Sequence, residues 1–113
     1  MPKIQINEIP SKSLIAGYEA QFVHTSSATF SHVRASAGAL LPLHSHPHIQ
    51  ASYVLEGEFE LTVDGEAHLL VPGQVFIIPS NVQHSGLAIT DSYILDVFTP
   101  VREDYREKGG LIL

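Results

Sequence analysis

What most restricts the fold of this chain is its rhythm: short runs of β-branched and aromatic residues, broken repeatedly by glycine, proline and polar turn residues. ATFSHVRAS (28–36), QASYVLEG (50–57), QVFIIP (74–79), HSGLAI (84–89) and SYILDVF (92–98) each read as a strand. FELTVDGEAHLLV (59–71) reads as a hairpin, because Phe59, Leu61 and Val63 alternate ahead of an Asp64-Gly65 turn. No long window repeats apolar residues at i, i+3, i+4 and i+7, so helices are not expected to build the body of the fold. Strands this short, at roughly 8–12-residue spacing, predict an all-β sandwich or small barrel. The 113 residues make one domain, 1–113, large enough to bury a core without staples. Residues 101–113 read as a short terminal helix followed by a loose or strand-pairing end, whose last apolar residues suit an interface.

Against that background HSHPHIQ (44–50) stands out, with three of the chain's seven histidines in five positions. In an extended segment alternate side chains share a face, so His44, His46, His48 and Gln50 are expected to point the same way. A histidine-rich tract of this kind points to metal binding. There is no cysteine, so disulfides and thiolate sites are excluded and any metal is held by nitrogen and oxygen. Imidazole sites suit Zn, Ni, Cu, Fe or Mn, and spacing does not choose among them. His24 and His68 stand alone in the sequence and read as surface or satisfied core residues. A net charge of −6 argues against nucleic acid or an anionic membrane as partner. No apolar run approaches the ~20 residues of a membrane span. MPKIQINEIPSK lacks the apolar segment of a signal peptide, so the cytoplasm is the expected compartment.

GALLPLHSHPHIQASYVLEG (38–57) resembles the first cupin motif, G-x5-H-x-H-x3,4-E-x6-G, with Gly38, His44, His46 and Gly57 on its fixed positions and Gln50 at the glutamate. GQVFIIPSNVQHSGLA (73–88) resembles the second, G-x5-P-x-G-x2-H-x3-N, through Gly73, Pro79 and His84. Asn81 and Ala88 replace its second glycine and its asparagine. The resemblance implies a single-domain cupin, a double-stranded β-helix (jelly-roll) barrel often paired as a homodimer. It also implies one divalent transition metal held by His44, His46, Gln50 and His84. Asparagine tolerates the left-handed backbone that a glycine would supply, so Asn81 should not disturb the turn. Glutamine is neutral, so a divalent ion on this ligand set keeps its full charge and acts as a stronger Lewis acid. The rival arrangement is a three-histidine site that Gln50 does not join. His48 is extra to the motif: it either orients a ligand, faces the substrate or sits at the barrel rim.

HSHPHIQASYVLEGEFELTVDGE, FIIPSNVQH and DVFTPVREDY are similar to one group of small cupins, the pectin-degradation (KdgF) family. That resemblance implies opening of 4,5-unsaturated uronate monosaccharides, from pectin or alginate, to a linear keto form. Carried over by position, its pocket residues are Asp96, Phe98 and Arg102. On SYILDVF, Ile94, Asp96 and Phe98 share one face. If that face is inward, Asp96 is placed for proton transfer; otherwise it meets solvent or pairs with Arg102. A guanidinium at Arg102 can grip a carboxylate through two parallel hydrogen bonds. Phe30, His32 and Arg34 also share a face; turned inward, His32 and Arg34 would add cationic character to the pocket, and turned outward they would not. The expected substrate is thus a small anionic sugar acid, bound by Arg102, Phe98, His48, Arg34 and His32. Two other classes stay open on the sequence: a metal-dependent cupin dioxygenase and a non-enzymatic ligand-binding or sensor cupin.

Overall fold

Burial alternates along most strands, and that alternation builds two facing sheets. The computed structural model describes residues 2–113. One sheet holds β1 (Lys12–Ile15), β2 (Tyr18–His24), β3 (Thr29–Ala35), β5 (Ile49–Glu56), β8 (Val75–Ile78) and β10 (Ser92–Thr99), in the order β1-β2-β3-β10-β5-β8. The other holds β4 (Leu40–His44), β6 (Phe59–Val63), β7 (Glu66–Leu70) and β9 (His84–Ala88), in the order β4-β9-β6-β7. Those pairings are antiparallel. After β10 the chain forms a short helix, α1 (Glu103–Lys108), and a last strand, β11 (Leu111–Ile112), which pairs in parallel with β2. The C-terminal end therefore pairs as a strand. No helix among the described residues is long and apolar enough to cross a membrane.

The inner faces divide into an apolar half and a polar half. Tyr18, Ala20, Phe22, Val33, Val54 and Ile94 from the larger sheet meet Phe59, Leu61, Val63 and Leu70 from the smaller one. Full burial of each large side chain contributes about 1.5–3 kcal/mol. Toward the other end the same inward positions carry Thr29, Ser31, Gln50, Ser52 and His84, all buried. Most of these polar groups are hydrogen-bonded, but Ser31 Oγ and His84 Nε2 are buried without a partner, and at this polar end the site forms.

Two turns show why particular residues are required. Asp64 and Gly65, with φ of 50° and 80°, make the tight β6–β7 turn expected from the sequence. Gly57 has φ +84°, and a Cβ there would lie 2.2 Å from the Asp91 carbonyl oxygen, so no other residue fits. Strands β1, β2 and β4 were not expected from the sequence.

Candidate metal centre

The histidine run does not form one straight strand. His44 ends β4 in one sheet and Gln50 lies in β5 of the other, so Ser45–His48 is the corner between sheets. The shared parity of the four side chains therefore does not place them on a common face. Instead the corner gathers two histidines and sets the third aside. His84 arrives from β9, directly opposite His44 in the β4–β9 pairing. The turn before β9 fastens the corner: Asn81 donates its backbone N–H to the His46 carbonyl at 2.8 Å, and Ser80 donates to the Pro47 carbonyl at 2.6 Å. Asn81 adopts φ 64°, the left-handed backbone anticipated for it.

Ligand atoms of His44, His46 and His84 lie within 4.8 Å of one another. Each ring is oriented by a backbone carbonyl that faces its Nδ1: Pro42 for His44 at 2.8 Å, His48 for His46 at 3.1 Å, and Val82 for His84 at 2.9 Å. With Nδ1–H donating to these carbonyls, Nε2 of each ring keeps its lone pair for a cation. His84 is 1% exposed and its Nε2 has no partner, an uncompensated buried atom that a metal would satisfy. Burial pushes the His84 imidazole down to about 4, so it is neutral and able to ligate near pH 7. Burial also lowers His46, against an opposing pull from its contact with Gln50.

Gln50 is 5% exposed, and its Oε1 lies 2.9 Å from Nε2 of His46. Atoms that close can become neighbouring ligands on one ion with a small adjustment, since bonds of about 2.1 Å at the tetrahedral angle separate them by ~3.4 Å. The three histidines therefore fit a divalent ion, and the Gln50 oxygen lies beside one of them. His48 stays outside this group: its carbonyl orients His46, while its ring Nδ1 is buried without a partner.

Beside the histidines a narrow cavity of about 40 Å³ is lined by His44, Gln50, Ser52, Asp96, Phe98 and Arg102. Ile94, Asp96 and Phe98 do face inward, and Ser52 donates to Asp96 Oδ1 at 2.6 Å. Burial raises the Asp96 carboxyl to about 6, although Ser52, the nearby Gln50 amide and the Arg102 charge pull the other way. The Arg102 guanidinium lies 3.6 Å over the ring of Tyr105 and 4.8 Å from that of Phe98. Its Nε and Nη2 donate to Asp104 at 3.1 and 2.6 Å, so one edge of the fork is already engaged. That ion pair, working against burial, holds Asp104 below the usual carboxylate range.

Two expected pocket residues lie elsewhere. The inward side chains of β3 are Ser31, Val33 and Ala35, so His32 and Arg34 take the outer face of the sheet. There His32 Nδ1 meets the Tyr93 hydroxyl at 2.8 Å and Arg34 lies 4.2 Å over the Tyr93 ring. Arg34 also borders an open surface groove of about 420 Å³ that contains none of the site histidines. His24 is a satisfied core residue, with Nδ1 against Thr29 Oγ1 and Nε2 against the Gly109 carbonyl. Ser52 and Tyr105 were not singled out from the sequence. Ser52 shares the parity of Gln50 on β5, which was a usable signal; Tyr105 reaches the site only because α1 folds back.

A cupin domain model matches residues 31–98. The pectin degradation protein KdgF of Dickeya dadantii (strain 3937) is 32% identical over 75 residues, covering 65% of this chain and 68% of that protein. The structure of KdgF from a Halomonas species superposes with a TM-score of 0.83 at 31% identity, covering 88% of this chain and 93% of the other. The L-ectoine synthase of Streptomyces anulatus is 39% identical over 67 residues, and there the match spans only 51% of the relative's length. The corner histidines, the left-handed Asn81 turn and His84 on β9 thus sit within a recognised domain, and the chain belongs to the cupin family, with similarity to its small KdgF proteins.

Proposed function

We propose that this protein is a metal-dependent, non-redox enzyme that opens 4,5-unsaturated uronate monosaccharides to their linear keto form. One observation carries the reading: His44 and Gln50, next to His46 and His84, border the same cavity as a carboxyl with a pKa raised to about 6 and a buried arginine. A divalent ion bound there would supply electrophilic stabilisation to substrate oxygens. Similarity to the KdgF proteins supports the choice of substrate.

The reaction is an isomerisation. The proton on the anomeric hydroxyl leaves, the bond from C1 to the ring oxygen breaks, and C1 becomes an aldehyde. The released enolate at C4–C5 then takes one proton at C4, replacing the one lost, and becomes the ketone. Asp96, with a pKa near neutrality, is suited to hold and deliver that proton. Arg102 is assigned the uronate carboxylate. Because Asp104 already engages Nε and Nη2, the carboxylate meets the remaining edge of the guanidinium, including Nη1. A cavity of about 40 Å³ is far below the ~300 Å³ and upward of a typical small-molecule site. The sugar ring therefore lies across its mouth, next to His44 and His48, with the reacting edge directed at Asp96.

Loss of the unsaturated uronate's ultraviolet absorbance tests the assignment. Asp96→Asn and Arg102→Ala are each expected to slow turnover by 10²-fold or more, on the order of the contribution of a positioned acid–base group. Wild-type rates in both variants would sink the roles assigned to Asp96 and Arg102.

A second copy of the chain is the proposed partner. Ile49, Tyr53, Leu55, Val75 and Ile77 are exposed together on the outer face of β5 and β8, with Leu95 and Val97 of β10 alongside. No charged side chain interrupts those outward positions, as suits a face that another apolar face covers.

A further inference from the structure

The glutamate of the cupin motif is replaced by Gln50, yet a carboxylate is still connected to that position. Gln50 Nε2 donates to Ser52 Oγ at 2.9 Å, and Ser52 Oγ donates to Asp96 Oδ1 at 2.6 Å. Register makes this chain possible: Gln50 and Ser52 are successive inward residues of β5, and Ser52 is directly opposite Asp96 on β10. Gln50 and Ser52 are each 5% exposed, and the Gln50 amide also acts on the Asp96 carboxyl, which calls for the same NH2 end.

A carboxamide is nearly symmetrical in shape but not in chemistry. One end offers lone pairs to a cation; the other presents two N–H groups that repel it. Ser52 has one hydroxyl proton, and Asp96 takes it. What Ser52 then offers Gln50 is lone pairs alone, and only the NH2 end of the amide can use them. The amide is thereby held with Oε1 toward His46 Nε2, 2.9 Å away.

We propose that Ser52 is the positioning residue of the metal centre: it fixes which atom Gln50 presents and ties that ligand to Asp96. The proposal rests on the reading of His44, His46, Gln50 and His84 as one metal site. A cation drawing electrons from Oε1 makes Nε2–H a better donor, and the polarisation passes through Ser52 to the carboxylate. The glutamine thus acquires part of the anionic character of the glutamate it replaces.

Zn2+ affinity, measured by competition with a chromophoric chelator, tests this without relying on turnover. Ser52→Ala is expected to weaken Zn2+ binding by about 10–100-fold, as loss of a ligand's hydrogen-bond partner typically does. Ser52→Thr keeps the hydroxyl and should restore affinity to within a few-fold. The decisive comparison is a Gln50→Glu background. A carboxylate has two equivalent oxygens and no wrong end, so Ser52→Ala should there change affinity little. Equal weakening in both backgrounds would mean that Ser52 is merely structural, and weakening in neither would mean that the amide needs no fixing; either result overturns the proposal. If the unsubstituted protein does not bind Zn2+, the metal reading itself falls, and this proposal with it.

Discussion

Replacing Asp96 with asparagine in the metal-free protein should raise its stability at neutral pH and leave it nearly unchanged in acid. Burial raises the Asp96 carboxyl from 3.8 to about 6, against the opposing pull of Ser52, Gln50 and Arg102. Between those values the folded protein holds a proton that the unfolded chain has released. Stability therefore falls as pH rises through that window, and the loss is complete above it. A shift of about two units at 1.36 kcal/mol each sets a ceiling of ~3 kcal/mol. Asp96 is half-buried rather than sealed from water, so the measured effect should come in below that ceiling. Asparagine still accepts from Ser52, so the substitution removes the charge while keeping the contact. Urea unfolding of chelator-treated wild type and Asp96→Asn, from about pH 4 to about pH 8, reads the difference directly. The variant should gain roughly 1–2 kcal/mol at the upper end, with the gap closing toward pH 4. A variant less stable at pH 8, or a gap independent of pH, would refute the placement of an ionisable carboxyl in a desolvated cavity.

Gly57→Ala should cost roughly 2–4 kcal/mol in thermal or chemical unfolding, because it combines a positive φ with a Cβ 2.2 Å from the Asp91 carbonyl. Thr29→Val should cost about 1–3 kcal/mol and speed amide exchange in α1 and β11. The Thr29 hydroxyl serves both the His24 ring and the Arg102 backbone N–H, and valine leaves both without it. His32→Ala and Arg34→Ala, on the outer face, should leave Zn2+ affinity and turnover within about two-fold of wild type, since surface changes away from a site have small effects. Tyr53→Lys combined with Ile77→Lys should convert a dimer to a monomer in sedimentation, whereas a wild type that sediments as a monomer contradicts the assigned face.

The strands from Gln50 to Phe98 were legible because one buried face imposes a period of two on most of them, and the Asp64-Gly65 turn fixed the hairpin register. The outer-face position of His32 and Arg34 was not legible. Phe30, His32 and Arg34 alternate with Ser31, Val33 and Ala35, so one face carries Phe and the other Val, and parity alone does not say which is inward. The three-histidine cluster followed from motif spacing, which identified His84 across a long stretch of chain. The physical cause proposed for the histidine run, a straight strand with one face, was incorrect, because Ser45–His48 turns the corner between the sheets. Ser52 carried the right parity but no chemical signature of its own. Asp104 followed Arg102 closely in sequence, yet its occupation of the guanidinium edge depends on the helical start at Glu103.

On the proposed reading, the three histidines and Gln50 form a metal centre for a non-redox ring opening. Its most direct test is metal add-back under anaerobic conditions, following loss of the unsaturated uronate's ultraviolet absorbance with chelator-stripped protein. Stripped protein should be inactive, one equivalent of a divalent transition metal should restore turnover, and oxygen should make no difference. Full activity after stripping, or turnover only when oxygen is admitted, would contradict it.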